Sequence, residues 1–106
     1  MVVTPDPIAA RDARFFVDRL CRGRHGEIRL VINKATRDAV EEGLVPDFDW
    51  LIDTVGAQLI GVVPYDIELV QASALGQPLP NKAASFLPIA NLAKRIQGAY
   101  LPLTVK

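Results

Sequence analysis

The apolar positions of this chain change period along its length, and each change marks an element. MVVT opens as a strand and TPDP breaks it. From Arg11 to Arg22 the residues Ala13, Phe16, Val17, Leu20 and Cys21 recur at the spacing of one helix face. Gly23 and Gly26 end that helix. IRLVI (Ile28 to Ile32) is β-branched and mostly apolar, which predicts a second strand with Asn33 and Lys34 at its exit. ATRDAVEEGLVP follows as a polar connection. Asp47 then caps a helix running to Val55, with Phe48, Leu51, Ile52 and Val55 on one face, Trp50 off that stripe and Gly56 as the stop.

LIGVV (Leu59 to Val63) is an unbroken apolar run, the pattern of a strand covered on both faces in a parallel sheet. Asp66 is placed to cap a short helix carrying Ile67, Val70 and Ala74, closed by Gly76. A last helix is expected from about Ser85 to Gln97, with Phe86, Ile89, Ala93 and Ile96 inward. Pro88 falls in its first turn, where a missing N–H costs little.

The order β-α-β-α-β-α-α predicts an α/β fold with right-handed crossovers and a three-stranded parallel sheet. At 106 residues one domain, 1–106, is expected. Hydrophobic residues make up 50% and aromatics only 7%, so the core should be aliphatic. Three strands are few for such a sheet, and the first has no flanking strand in sequence. The chain therefore reads as half of a larger α/β domain.

Charge adds a restriction. The formal net charge is zero, which disfavours nucleic acid as a partner. Residues 1–37 carry +4 and the remainder −4, a split that fits complementary surfaces or ordinary solvation. Cys21 is the only cysteine and His25 the only histidine, too few for a disulfide or a structural zinc site. No metal site and a cytoplasmic location are the expectations. No apolar run reaches the ~20 residues of a membrane helix, and MVVTPDP lacks the basic start and apolar stretch of a signal peptide.

Three segments then align with a known pattern. VVTPDPIAARDARFFVDRL, RLVINK and DFDWLIDTVGAQLIGVVPYDIELVQASALGQPL resemble, in that order, the C-terminal half of the MinD/ParA family of deviant Walker ATPases. The elements that carry the resemblance are Thr4 and Pro5, Arg11-Asp12-Ala13, Asn33, the 47–55 helix, Leu59 to Pro64, Asp66, and Gly76 to Pro78. They cover nearly all of residues 2–98. The resemblance implies a partial three-layer sandwich of the P-loop-hydrolase kind and a relation to placement of the division septum. It also implies ATP as cofactor.

The family's G-K-G-G-x-G-K-T loop, its magnesium-holding aspartates and its D-x-P-x-G switch are not found in these residues. Phosphoryl transfer depends on positioning phosphate and metal. ATP binding by the chain alone is thus expected to be weak or absent, and hydrolysis absent. The ending GAYLPLTVK, with Pro102, lacks the basic amphipathic spacing of the family's membrane-targeting helix.

Within this frame the resemblance assigns an adenine-side wall to Asn33, Pro64, Tyr65 and Asp66. The Asn33 amide offers a donor and an acceptor that match the adenine edge, or it satisfies its own turn. At residues 64–66 base contact is expected from the backbone, with the Asp66 carboxylate acting as a helix cap. Tyr65 stands where the family usually has Glu.

Arg11 and Asp12 match the family surface for the dimer and for the division inhibitor MinC; a first-turn acid favoured by the helix dipole, beside an exposed arginine, is the alternative reading. Lys34 and His25 read as solvated, and Cys21 as core. A rival reading is a non-enzymatic interaction module. It would be a homo-oligomer joined through the MVVT edge, or a chain that pairs with a complementary N-terminal half.

Overall fold

The computed structural model describes residues 1–20, 28–36 and 47–98. Three parallel strands stand in the order β1 (Val2–Val3), β2 (Arg29–Ala35), β3 (Gln58–Pro64). Four helices join or follow them: α1 (Pro7–Leu20), α2 (Phe48–Val55), α3 (Ile67–Leu75) and α4 (Phe86–Ile96). The α/β architecture is the one expected. The strand pairs are Val2 with Val31 and Val3 with Ile32, then Leu30 with Leu59 and Ile32 with Val62.

The core lies on one face of this sheet. Val3, Leu30, Ile32 and Val62 meet Ala10, Ala13 and Val17 of α1 and Leu51 and Val55 of α2. Fully burying an aliphatic side chain of the size of Leu30 or Ile32 contributes roughly 1.5–3 kcal/mol. Trp50 is half-buried and packs against the same cluster.

Helix α1 begins four residues before the expected start. Asp6 caps it, taking the Ala9 N–H at 2.8 Å on Oδ1 and the Thr4 hydroxyl at 2.6 Å on Oδ2. Pro7 follows at the first helical position, where its fixed φ suits a helix and its missing N–H is not needed. This shifts the buried face to Ala10, Ala13 and Val17 and leaves Phe16 exposed, against the expectation that it would be core. Small alanines let α1 lie close on the sheet, and Phe16 is carried out over the β1 side. Leu20 ends α1, while Cys21, Gly23, His25 and Gly26 lie outside the described residues.

Helix α2 follows its sequence signals. The Trp50 N–H reaches Asp47 Oδ1 at 2.7 Å, and Gly56 turns out at φ 78°, the left-handed conformation that favours glycine.

Strand β2 extends beyond its expected end, so Asn33 and Lys34 sit within it rather than past it. The pairing with β3 shifts between Ile32 and Ala35, where Lys34 takes φ 56°.

The last two helices bury less than their patterns suggested. Ile67, Val70 and Ala74 of α3 face outward, and only Ala72 is buried. The helix is secured at its ends, by Asp66 and by Gly76 at φ 66°, not along a face. In α4, Ala93 and Ile96 are exposed although both were expected inward. Contact with β3 runs instead through Leu92, which packs over Gly61; a Cβ at Gly61 would come within 3.1 Å of Leu92 Cδ1. Arg95 Nη1 donates to the Ile60 carbonyl at 3.2 Å. Ile60 is the additional residue in β3 between the Leu30–Leu59 and Val31–Gly61 pairs, where the ladder shifts.

Candidate nucleotide-side strand exits

Parallel strands place their carboxyl ends on one side of the sheet, which is where open α/β sheets hold ligands. Here the ends of β2 and β3 are neighbours. Ala35 stands opposite Pro64, and the Tyr65 N–H closes the ladder on the Ala35 carbonyl at 3.0 Å. Asn33 is half-buried two residues before that pair, and Tyr65 is exposed beside it. Of the four residues assigned to a base-side wall, Asn33 lies in β2, Pro64 ends the neighbouring β3, and Tyr65 and Asp66 follow it. Lys34 is exposed at the irregular step of β2.

Asp66 is the best-determined side chain of the group. It is buried, and both of its oxygens accept hydrogen bonds. Oδ1 takes the Glu68 N–H at 3.0 Å, which caps α3. Oδ2 takes the Ser85 N–H at 3.0 Å and the Ser85 hydroxyl at 2.8 Å. The Ser85 N–H and hydroxyl, followed by the Glu68 N–H, hold the carboxyl below its ordinary 3.8, although burial works the other way.

The carboxylate is thus committed to protein groups, and what the exit turn presents outward is backbone and Tyr65. Ser85 is fully buried and was expected only as the cap of α4. It makes no cap bond with its side chain, and its hydroxyl ties α4 to the β3 exit instead. Only its place just before an amphipathic run hinted that it mattered.

Arg11 and Asp12 are exposed on α1. Asp12 lines a shallow groove of roughly 340 Å³ formed by Met1 to Thr4 with Ala9, Ala13 and Phe16. Sequence reasoning gave no warning of that groove, because Phe16 had been assigned to the core. Asp6, the cap of α1, is held below 3.8 by the Thr4 hydroxyl and the Ala9 N–H. Among the described residues no three His, Cys, Asp or Glu side chains gather as a metal ion requires. No described helix is long and apolar enough to cross a membrane.

No family model matches the chain. It is 33% identical over 109 aligned positions to the septum site-determining protein MinD of Bacillus subtilis, covering 99% of this chain and 40% of that protein. MinD of Synechocystis is 27% identical over 105 positions, covering 96% of this chain and again 40% of the relative. Among solved structures, the MinD cell division protein of Aquifex aeolicus superposes with a TM-score of 0.85 at 26% identity. That match takes in 98% of this chain and 45% of the other. The MinC:MinD complex from the same organism gives the same TM-score at 25% identity. The chain spans about 40% of the length of the curated relatives it matches. In sequence and in fold the chain is MinD-like, with the α/β architecture of P-loop NTPases, and it corresponds to the C-terminal part of those septum site-determining proteins.

Proposed function

We propose that this chain supplies the base-side wall of a MinD-like ATP site in a protein concerned with placing the division septum. The observation that supports this is the juxtaposition of Asn33 with the Pro64–Asp66 turn at the carboxyl ends of β2 and β3. An amide side chain and a run of strand-exit backbone together offer donors and acceptors to an adenine edge. Asp66, bound to Ser85 and Glu68, keeps that backbone in place. A planar Tyr65 beside it adds apolar surface.

The described strand exits hold no loop of the phosphate-cradling kind, and these 106 residues contain no such motif. The chain alone is therefore not an ATPase in this reading. Base contacts without phosphate contacts give weak binding, on the order of 1 mM or about −4 kcal/mol. The oligomeric partner is either a second copy or a complementary N-terminal half. Arg11 and Asp12, exposed on α1, are the residues assigned to that contact.

Titration of the isotopically labelled chain with adenosine and with ATP tests the reading. Amide resonances of Asn33, Tyr65 and Asp66 should shift with both ligands and to similar extents. Shifts confined to other residues, or none with either ligand, would remove the base-side assignment.

A further inference from the structure

Helix α4 is fastened to the sheet at separate points and not along a face. None of its own residues is buried. Leu92 lies over Gly61, and Arg95 Nη1 reaches the Ile60 carbonyl. At the start of the helix the fastening is Ser85, which is fully buried. Its N–H and its hydroxyl both donate to Asp66 Oδ2, at 3.0 and 2.8 Å, across 19 residues of sequence. A serine at a helix start ordinarily turns its oxygen to the N–H groups of its own helix. Ser85 makes no such bond, and its hydroxyl serves a carboxylate of another segment.

Asp66 is held from two sides. Oδ1 accepts the Glu68 N–H and starts α3, while Oδ2 is held from the start of α4. The backbone of Tyr65 and Asp66 is the part of the exit turn offered to a base. The Tyr65 N–H ties that turn to β2 at Ala35, and Ser85 ties it to α4. The first turn of α4 cannot leave β3 without breaking both Ser85 bonds. Opening would leave a buried carboxylate short of donors, which is costly. Local opening of α4 therefore loosens the turn, and anything that fixes the turn resists the opening.

We infer that Ser85 is a positioning residue for the base-side turn, and that it links base binding to the docking of α4 on β3. The inference rests on the base-side reading proposed above and adds to it a distant support and a two-way coupling. A docked α4 tightens the grip on adenosine, and bound adenosine tightens the docking of α4 by the same factor.

Ser85→Ala keeps the backbone N–H bond and removes the hydroxyl. Adenosine titrated into the isotopically labelled chain should bind Ser85→Ala roughly three- to tenfold more weakly than the unaltered chain, the loss of part of one charge-assisted hydrogen bond. Val17→Ala lowers stability from the α1 side of the core and should leave the adenosine affinity unchanged. Hydrogen exchange gives a second readout. With no residue buried, α4 exchanges by local opening. Adenosine should slow exchange at Ile89, whose N–H bonds the Ser85 carbonyl at 3.1 Å, and at the α4 amides after it. The slowing should be about threefold or more. In Ser85→Ala adenosine should leave these rates unchanged.

Equal adenosine affinity in Ser85→Ala and the unaltered chain would overturn the inference and leave the base-side reading standing, since Asn33 and Tyr65 would still shift. So would a loss of affinity in Val17→Ala as large as that in Ser85→Ala, or α4 exchange in the unaltered chain that adenosine does not slow. Absence of any adenosine shift in the unaltered chain would remove the base-side reading and this inference together.

Discussion

The β3 side of the sheet is held by directed side-chain contacts, and the β1 side by a short ladder, one helix cap and the packing of Val3 against α1. At β3, Asp66 bonds Ser85 and Glu68, Arg95 bonds Ile60, and Leu92 sits on Gly61. At β1, the ladder comprises the pairs Val2–Val31 and Val3–Ile32. Thr4 and Asp6 then turn the chain into α1, which leaves Phe15 and Phe16 exposed. The contrast teaches that the two sides of one sheet are fixed by different means. The turn proposed to face the base needs a fixed backbone, and the bonds of Asp66 supply one. The β1 side has no such network of side-chain bonds to a following helix among the described residues, and it leaves aromatic rings exposed.

Substitutions can break or sharpen this contrast. The largest effect is expected from Asp66→Ala, which leaves the buried N–H and hydroxyl of Ser85 without an acceptor. The urea midpoint should fall further than for any other change named here, and Asp66→Asn should recover part of the loss. Gly61→Val comes next. Its side chain meets Leu92 in a space already tight for a Cβ, and overpacking of this sort costs about 1–3 kcal/mol. Chemical denaturation should report that loss, and exchange of the α4 amides should quicken.

Asp6→Ala removes the cap of α1, typically about 1 kcal/mol, and should lower the thermal midpoint. Acid offers a related test of both aspartates. The native pKa values of Asp6 and Asp66 lie below the ordinary 3.8, so each stabilises the folded state above that value. The stability is lost as the pH falls through the lowered native values, and a denaturation series between pH 5 and pH 2 should show it. In Asp66→Asn that acid limb should be shallower.

The smallest effect is expected from Phe16→Ala, under about 1 kcal/mol, since the side chain is half exposed and its ring contact is with the exposed Phe15. If Phe16→Ala destabilised the isolated chain as much as Gly61→Val, the β1 side would be ordinary core and the contrast would fail.

Most of the element order was legible in the sequence because local signals agreed with tertiary demand. Asp47 and Gly56 bracket α2, and Asp66 and Gly76 bracket α3, by the capping chemistry their residue types favour. The continuous run in β3 identified a parallel strand for the same reason. What periodicity could not decide was which way a short apolar face points when few elements lie over it. Phe16, Ile67, Val70 and Ile96 all fit a helical stripe, yet all four are exposed. The stripe assumes a neighbour on every side, and on these sides the described residues supply none.

The site was legible in part. Asn33 and Pro64–Asp66 were grouped by resemblance; in the structure Asn33 lies in β2 two residues before the partner of Pro64. The bond between Asp66 and Ser85 spans 19 residues, and no local pattern encodes it. The groove at β1 was hidden by the assignment of Phe16 to the core.

Calorimetric titration of the isolated chain with ATP, with and without magnesium, tests the account most directly. If this chain holds the base side of the site and no phosphate loop, binding is weak and magnesium changes nothing. Tight binding that requires magnesium would contradict it.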